Sequence, residues 1–484
     1  MSFNSITYGV FFLIVFFLYW FLFNRNVKFR NAFLLIVSYI FYGWWDWRFL
    51  ILIFISSITD FLLGLKMNQK DLSAIKRKHL LYVSIGVNLG ILGFFKYYNF
   101  FVESFTDAFA GFGINLNMTT LGIILPVGIS FYTFQTLSYT IDVYRKKMQP
   151  TNDLIAFLAF VSFFPQLVAG PIERAHRLLP QFQERKQFNY KRGADGLRQI
   201  LWGLVKKIVV ADNCSVIVDS IFNDYTNVSG GFLIVGVILF LIQLYCDFSG
   251  YSDIAIGSAR LLGFDLMKNF DYPFFARNFS ESWRKWHISL SSWFRDYVFI
   301  PFLRKNYSKY NRILSSLLVF SLVGLWHGAS WNFVVWGFIQ GLLLIPYVFF
   351  KGRLLFKKSR VNQKYFVNKI EITIRIIFTF LMFSFTCFLF RAQSLHESWM
   401  HIRHLNFDFS KYLSNKDIPD LSQIFIFIAA MLCIEWFQQK QNHGLDFDRL
   451  KLPMPVRWGI YLSLTVLILI YGGPEHQQFF YFQF

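Results

Sequence analysis

Two of the nine histidines in the chain stand apart. His327 sits in Gly324-Leu325-Trp326-His327-Gly328-Ala329-Ser330-Trp331-Asn332, at the expected bend of an apolar helical hairpin. An ionisable side chain at membrane depth is a functional-site expectation by default. Trp326, Trp331 and Trp336 would give the imidazole a dry aromatic wall, which favours the neutral ring that a general base requires. Gly324 and Gly328, one helical turn apart, permit close approach by a neighbouring helix. A histidine merely hydrogen-bonded inside the bundle would look the same from position alone.

His287 lies in Ser282-Trp283-Arg284-Lys285-Trp286-His287-Ile288-Ser289-Leu290. Trp283, Trp286, Leu290, Trp293 and Tyr297 recur at spacings of 3, 4, 3 and 4, which predicts one amphipathic helix with Arg284, Lys285 and Arg295 off the stripe. An interfacial helix anchored by Trp and Arg accounts for this pattern. His287 borders the stripe and could also face a cavity at the inner leaflet. A third constellation is Tyr245-Cys246-Asp247-Phe248-Ser249-Gly250-Tyr251-Ser252-Asp253, whose carboxylates and hydroxyls must face protein or water. A hydrogen-bonded helix break is the favoured reading there, a pocket wall with Asp247 and Ser249 the other. Pro126, Gly128, Ser130 and Gln135 likewise predict a polar, kinked helix that serves packing.

Other mechanisms find no support. The chain has no G-x-S-x-G elbow, no P-loop, no H-E-x-x-H and no dinucleotide fingerprint. The four cysteines (Cys214, Cys246, Cys387, Cys433) have no metal or redox spacing and read as small apolar fillers. No metal is expected. A buried neutral histidine without a serine or cysteine nucleophile motif points to direct transfer, in which the base takes a hydroxyl proton as that oxygen attacks an activated carbonyl.

The elements that must hold these residues are membrane helices. Hydrophobic residues make up 55% of the 484 and charged residues 16%, well below the roughly 25% of soluble domains. With 63 Phe, 24 Tyr and 14 Trp, no single soluble core could hide the apolar surface. This excludes cytoplasmic enzymes, disulfide scaffolds and disordered tails. The net charge of +20 sits in short loops between apolar runs, so it marks cytoplasmic anchoring and not nucleic-acid binding. The first run, Ile6 to Phe23, has no basic n-region or cleavage site and reads as a retained helix.

Loop charges alternate through the first five crossings, with Trp44, Trp45 and Trp47 at one interface. The pattern then breaks. Leu154 to Val168 is basic on both flanks, which implies a re-entrant segment or a helix lying along the inner surface, and the interruptions at Pro165 and Gly170-Pro171 favour re-entry. A span is also expected from Leu121 to Tyr144, a hairpin over Ile313 to Phe350 bending at Gly328-Ala329-Ser330, an external loop from Arg391 to Leu421, and an external tail from Pro474. The expected fold is an all-α polytopic membrane protein with about eleven transmembrane helices plus re-entrant and interfacial helices.

These stretches together resemble the membrane-bound O-acyltransferase (MBOAT) family, above all its bacterial branch of alginate O-acetylase-like proteins. The likeness is carried by Pro126 to Gln135, Phe163 to Pro171, Asp247 to Gly257, Trp283 to Pro301, Leu325 to Asn332 and Phe480 to Phe484, in that order. It implies one membrane domain over 1–484: N-terminal helices (1–150), a catalytic core with both histidines (151–350), and C-terminal helices with the tail (351–484). In this family helices ring a thin floor entered by funnels from both faces. His327 matches the catalytic histidine and His287 the second, upstream polar position, where it could orient or polarise the thioester. Trp283, Trp286, Trp326, Trp331, Asn332, Asp247, Ser249 and Gln135 would line the tunnel. The resemblance further implies a cytoplasmic thioester donor (acetyl-CoA or an acyl-carrier thioester, nothing bound permanently) and a polysaccharide acceptor. Membrane lipid, an extracytoplasmic SGNH-hydrolase-like partner and a bacterial inner-membrane location complete it. D-alanyl transfer to teichoic acids is the nearby alternative, and a transporter or channel the alternative from another class, though it would show inverted repeats that are not found.

Overall fold

The computed structural model describes residues 1–168, 170–303, 308–351, 369–408, 421–450 and 452–472. Every regular element among them is helical. Among the described residues, six continuous helical segments are long and apolar enough to cross a membrane: Ile6–Phe23, Val27–Met67, Ala74–Ala110, Gly230–Leu261, Lys369–Arg391 and Met454–Tyr471. Two shorter apolar helices, Trp331–Tyr347 and Leu421–Phe437, accompany them. The protein is therefore an all-α, polytopic membrane protein. The expected tail Pro474 to Phe484, with the closing motif from Phe480, lies outside the described residues.

The chain divides into two compact units, Met1–Gly196 with Ser258–Met267, and Leu197–Gly257 with Lys268–Phe484. The first unit carries α1 (Ile6–Leu18), α2 (Val27–Asp46), α3 (Leu50–Met67), α4 (Ala74–Leu92), α5 (Tyr98–Ala110), α6 (Ile129–Tyr144), α7 (Leu154–Ser162), α8 (Phe164–Leu167) and α9 (Ala175–Gln183). Polar side chains start these helices by accepting orphan amides: Ser5 Oγ from Tyr8 N at 3.1 Å and Asn26 Oδ1 from Lys28 N at 2.8 Å. A polar seam joins α3, α4 and α6. The buried Asp60 carboxylate accepts from Ser84 Oγ at 2.6 Å and from Asn88 Nδ2 at 2.8 Å, and Thr136 Oγ1 bonds Asn88 Oδ1 at 3.0 Å. Arg30, fully buried, donates to the carbonyls of Phe182 and Glu184 at 2.6 Å each, satisfying the end of α9.

One expectation changes here. The span predicted from Leu121 becomes helical only at Ile129, so Pro126 and Gly128 precede the helix and do not kink it. Gly128 has φ +76° and its Cα faces the Leu167 carbonyl so closely that a Cβ would sit 2.7 Å from that oxygen, which is why a glycine starts α6. The segment from Leu154 is broken as expected. Nine residues of α7, rising roughly 13 Å, are too short for a hydrocarbon core of about 30 Å. The break at Phe163 is sheltered: Ser38 Oγ accepts from Phe164 N at 3.1 Å, and α8 is buried along its length.

The second unit carries the rest of α10 (Tyr190–Leu204), then α11 (Asp212–Asn223), α12 (Gly230–Leu261), α13 (Phe279–Lys285), α14 (Ile288–Phe294), α15 (Ile300–Leu303), α16 (Lys309–His327) and α17 (Trp331–Lys351). It closes with α18 (Lys369–Arg391), α19 (Leu395–His404), α20 (Leu421–Phe437) and α21 (Met454–Tyr471). The predicted break within Asp247 to Asp253 does not occur, because α12 runs unbroken for 32 residues. Gly250 serves contact instead. A Cβ on Gly250 would lie 2.7 Å from the Gly203 carbonyl oxygen of α10, and one on Gly203 would lie 2.6 Å from the Gly250 oxygen. The hairpin bending at Gly328 to Ser330 is present as α16 and α17.

Candidate active site

His327 is the last residue of α16, and the chain turns extended at Gly328. The hairpin is held tight by glycines: a Cβ on Gly324 would overlap the Phe333 carbonyl and sit 3.2 Å from Gly337 Cα. That fit places the imidazole, 3% exposed, among rings. Their centroids lie at 5.0 Å for Trp326, 5.3 Å for Phe390 and 5.4 Å for Trp336. The expected wall is thus corrected at one member. Trp331 opens α17 and is 53% exposed, while Phe390, near the end of α18, supplies the third aromatic face.

The Trp stripe around His287 does not form one helix. α13 ends at Lys285, Trp286 is extended and His287 adopts φ +42°, before α14 resumes at Ile288. A left-handed conformation costs a non-glycine residue about 1–2 kcal/mol. Here it is fixed by backbone pairing with the segment after α12, Asp271 N to Lys285 O at 2.9 Å and Ile288 N to Asn269 O at 2.8 Å. The break buries His287 completely. Its ring lies edge-on to Phe248 at 4.7 Å, 5.7 Å from Trp326 and 6.4 Å from the His327 ring. Its Nδ1 lies 3.1 Å from Asn269 Oδ1. Asn269 is the residue the sequence reading missed, since no spacing signal marks it.

The remaining candidates separate into near and far. Trp283 is buried, donates from Nε1 to Gln340 Oε1 at 3.2 Å and packs 6.0 Å from Trp336. Trp286 is buried 5.3 Å from Phe270 and lines a small apolar cavity with Phe274 and Phe383. Asn332, buried, donates to the Ala392 carbonyl at 2.7 Å and ties α17 to the end of α18. Asp247 pairs with Lys207 at 2.8 Å, and Ser249 accepts from Lys206 Nζ at 2.8 Å. Ser249, Ser252, Lys206, Tyr245, Glu435 and Asn269 line a polar cavity of about 20 Å³, room for a water molecule. Gln135 belongs to the first unit, where Nε2 donates to the Phe160 carbonyl at 2.8 Å and Oε1 accepts from Gln166 at 2.7 Å. It serves the α6–α7 contact.

Two buried imidazoles with touching aromatic walls can accept or pass a proton where water does not compete. The fold that holds this pair is that of an all-α, multi-pass membrane protein. More particularly, residues 39–392 match the membrane-bound O-acyltransferase family, and the chain belongs to it. It is a multi-pass membrane O-acyltransferase. It is 33% identical to the protein named Probable alginate O-acetylase AlgI of Pseudomonas putida over 481 residues, covering 94% of this chain and 95% of that one. It is 29% identical to the Helicobacter pylori Peptidoglycan O-acetyltransferase over 504 residues, covering 95% and 92%. The Bacillus subtilis Teichoic acid D-alanyltransferase is 28% identical over 286 residues, covering 56% of this chain and 69% of that one.

Proposed function

We propose that this enzyme moves an acetyl group from a cytoplasmic thioester to a hydroxyl of an extracytoplasmic polysaccharide, with His327 as general base. The acceptor oxygen attacks the thioester carbonyl while its proton passes to the imidazole. The carbon–sulfur bond then breaks, and the thiolate leaves and takes up a proton. The observation that carries this reading is the burial of His327 within 6.4 Å of a second buried imidazole, behind Trp326, Trp336 and Phe390. The excess of 48 Lys+Arg over 28 Asp+Glu would draw a polyanionic donor such as acetyl-CoA to the inner face of the bacterial cytoplasmic membrane. Transfer to the glycan would pass directly or through an extracytoplasmic SGNH-hydrolase-like partner. Acetyl is favoured over D-alanyl because the O-acetyltransferase relatives align over nearly the whole chain and the D-alanyltransferase over about half.

The test uses inverted membrane vesicles that enclose the purified surface polysaccharide of the host, with radiolabelled acetyl-CoA added to the medium that bathes the cytoplasmic face. His327→Ala should abolish labelling of the glycan at unchanged membrane insertion. Continued acetylation by that variant would remove the assigned base.

A further inference from the structure

Asn269 lies in the non-helical stretch between α12 and α13, and its polar groups converge on His287. Its backbone carbonyl accepts from Ile288 N at 2.8 Å. Its Oδ1 receives Ser289 Oγ at 2.8 Å, lies 3.4 Å from Ser289 N, and lies 3.1 Å from His287 Nδ1. Its Nδ2 donates to Ser252 Oγ at 3.1 Å, on α12. The orientation of the amide follows from the partners. A backbone N–H can only donate, so the Asn269 atom facing Ser289 N must be the oxygen. That oxygen has no proton to give, and the nitrogen of His287 that faces it must therefore carry one. In a neutral imidazole the lone pair then resides on Nε2. Nε2 is fully buried and has no hydrogen-bonding partner among the described residues.

We propose that Asn269 is a positioning residue that locks His287 as the Nδ1–H tautomer, so that the ring presents a proton-accepting Nε2 to the reactants. This rests on the proposed acyl transfer and revises one part assigned to His287. A neutral ring held this way has no proton to donate to the thioester carbonyl oxygen, so it does not polarise that bond. It receives a hydrogen bond from a proton-bearing group of a reactant instead. Ser252 and Ser289 hold Asn269 in turn, which gives the polar motif of α12 a path to the reaction centre through the amide.

Two measurements test this. The first is a double-substitution cycle with Asn269→Leu and His287→Gln, read as acetyl transfer per inserted protein. Asn269→Leu alone should lose on the order of 10-fold to 100-fold, the range for removing a group that orients a functional histidine. Added to His287→Gln, it should cost nothing further, because its effect runs through that ring. Losses that multiply would overturn the proposal, since a purely packing role gives that result. The second is nitrogen NMR of the histidine-labelled full chain, with the His287 signals assigned by their loss in His287→Gln. A proton on Nδ1 alone supports the tautomer, and a proton on Nε2, with or without one on Nδ1, overturns it. This second measurement needs no turnover, so it decides the inference even where the wild-type enzyme shows no acetyl transfer and the proposed function fails.

Discussion

The glycine contacts of the α16–α17 hairpin make the placement of His327 testable from a site that touches no substrate. A Cβ on Gly324 would overlap the Phe333 carbonyl oxygen, and a Cβ on Gly337 would overlap the Phe320 carbonyl. Both contacts are to backbone, which cannot swing aside, so alanine at either position must part the helices by on the order of 1 Å to reach ordinary contact. His327 follows Gly324 by three residues, about 4.5 Å along the same axis. The displacement therefore reaches the imidazole almost undiminished and shifts it against Trp336 and Phe390. A misplacement of about 1 Å at a reacting group costs roughly 100-fold in rate. Overpacking should cost about 1–3 kcal/mol of stability, less than the about 5–15 kcal/mol that folded domains hold.

Gly324→Ala should thus insert and extract from the membrane as a folded protein, yet acetylate roughly 100-fold more slowly. Gly459→Ala on α21, where a Cβ meets nothing within 4 Å, is the control and should match wild type. The assay pairs vesicle acetylation with thermal unfolding in detergent. Wild-type rates from a folded Gly324→Ala protein would refute the view that backbone contact at this hairpin sets a position of His327 on which turnover depends.

Other outcomes follow from buried polar groups. Lys207→Met leaves Asp212 and Asp247, held at 2.6 and 2.8 Å, without their buried cation, and should cost about 3–5 kcal/mol, read as a lowered unfolding midpoint. Asp60→Leu strands Ser84 and Asn88 in the α3–α4–α6 seam and should cost about 1–3 kcal/mol, whereas Asp60→Asn, which keeps an acceptor oxygen, should stay within about 1 kcal/mol. Arg30→Ala removes two charge-assisted bonds from the end of α9 and should cost roughly 2–4 kcal/mol, with faster proteolysis after Gln183 as its local sign.

What the sequence revealed and what it concealed follow one physical division. The membrane class, the α16–α17 hairpin and the place of His327 at its bend were legible because composition, apolar run length and a local Gly-x-x-x-Gly carry them within a few residues of chain. The errors fall where a local signal had a distant cause. Gly250 among polar residues suggested a break in α12, but that glycine answers the carbonyl of Gly203, 47 positions upstream, and the helix passes straight through. Pro126 and Gly128 suggested a kink, and the demand on Gly128 comes from Leu167. The Trp spacing around His287 fits an uninterrupted helix, and nothing in that stretch forbids one.

The break at His287 is imposed from Asn269, 18 residues away, whose backbone and amide replace the helical partners that the break removes. Asn269 itself sits in Lys268-Asn269-Phe270-Asp271, a run with neither helical period nor motif, so its role could emerge only once the fold had closed around it. The same reasoning explains why Phe390 replaced Trp331 in the wall of His327. Trp331 is near in sequence but opens α17 on the exposed side of the turn, whereas α18 delivers Phe390 from 63 residues away. A histidine pair assembled from three distant stretches can be anticipated as residue types. Its geometry, and with it the His287 nitrogen that Asn269 faces, belongs to tertiary structure.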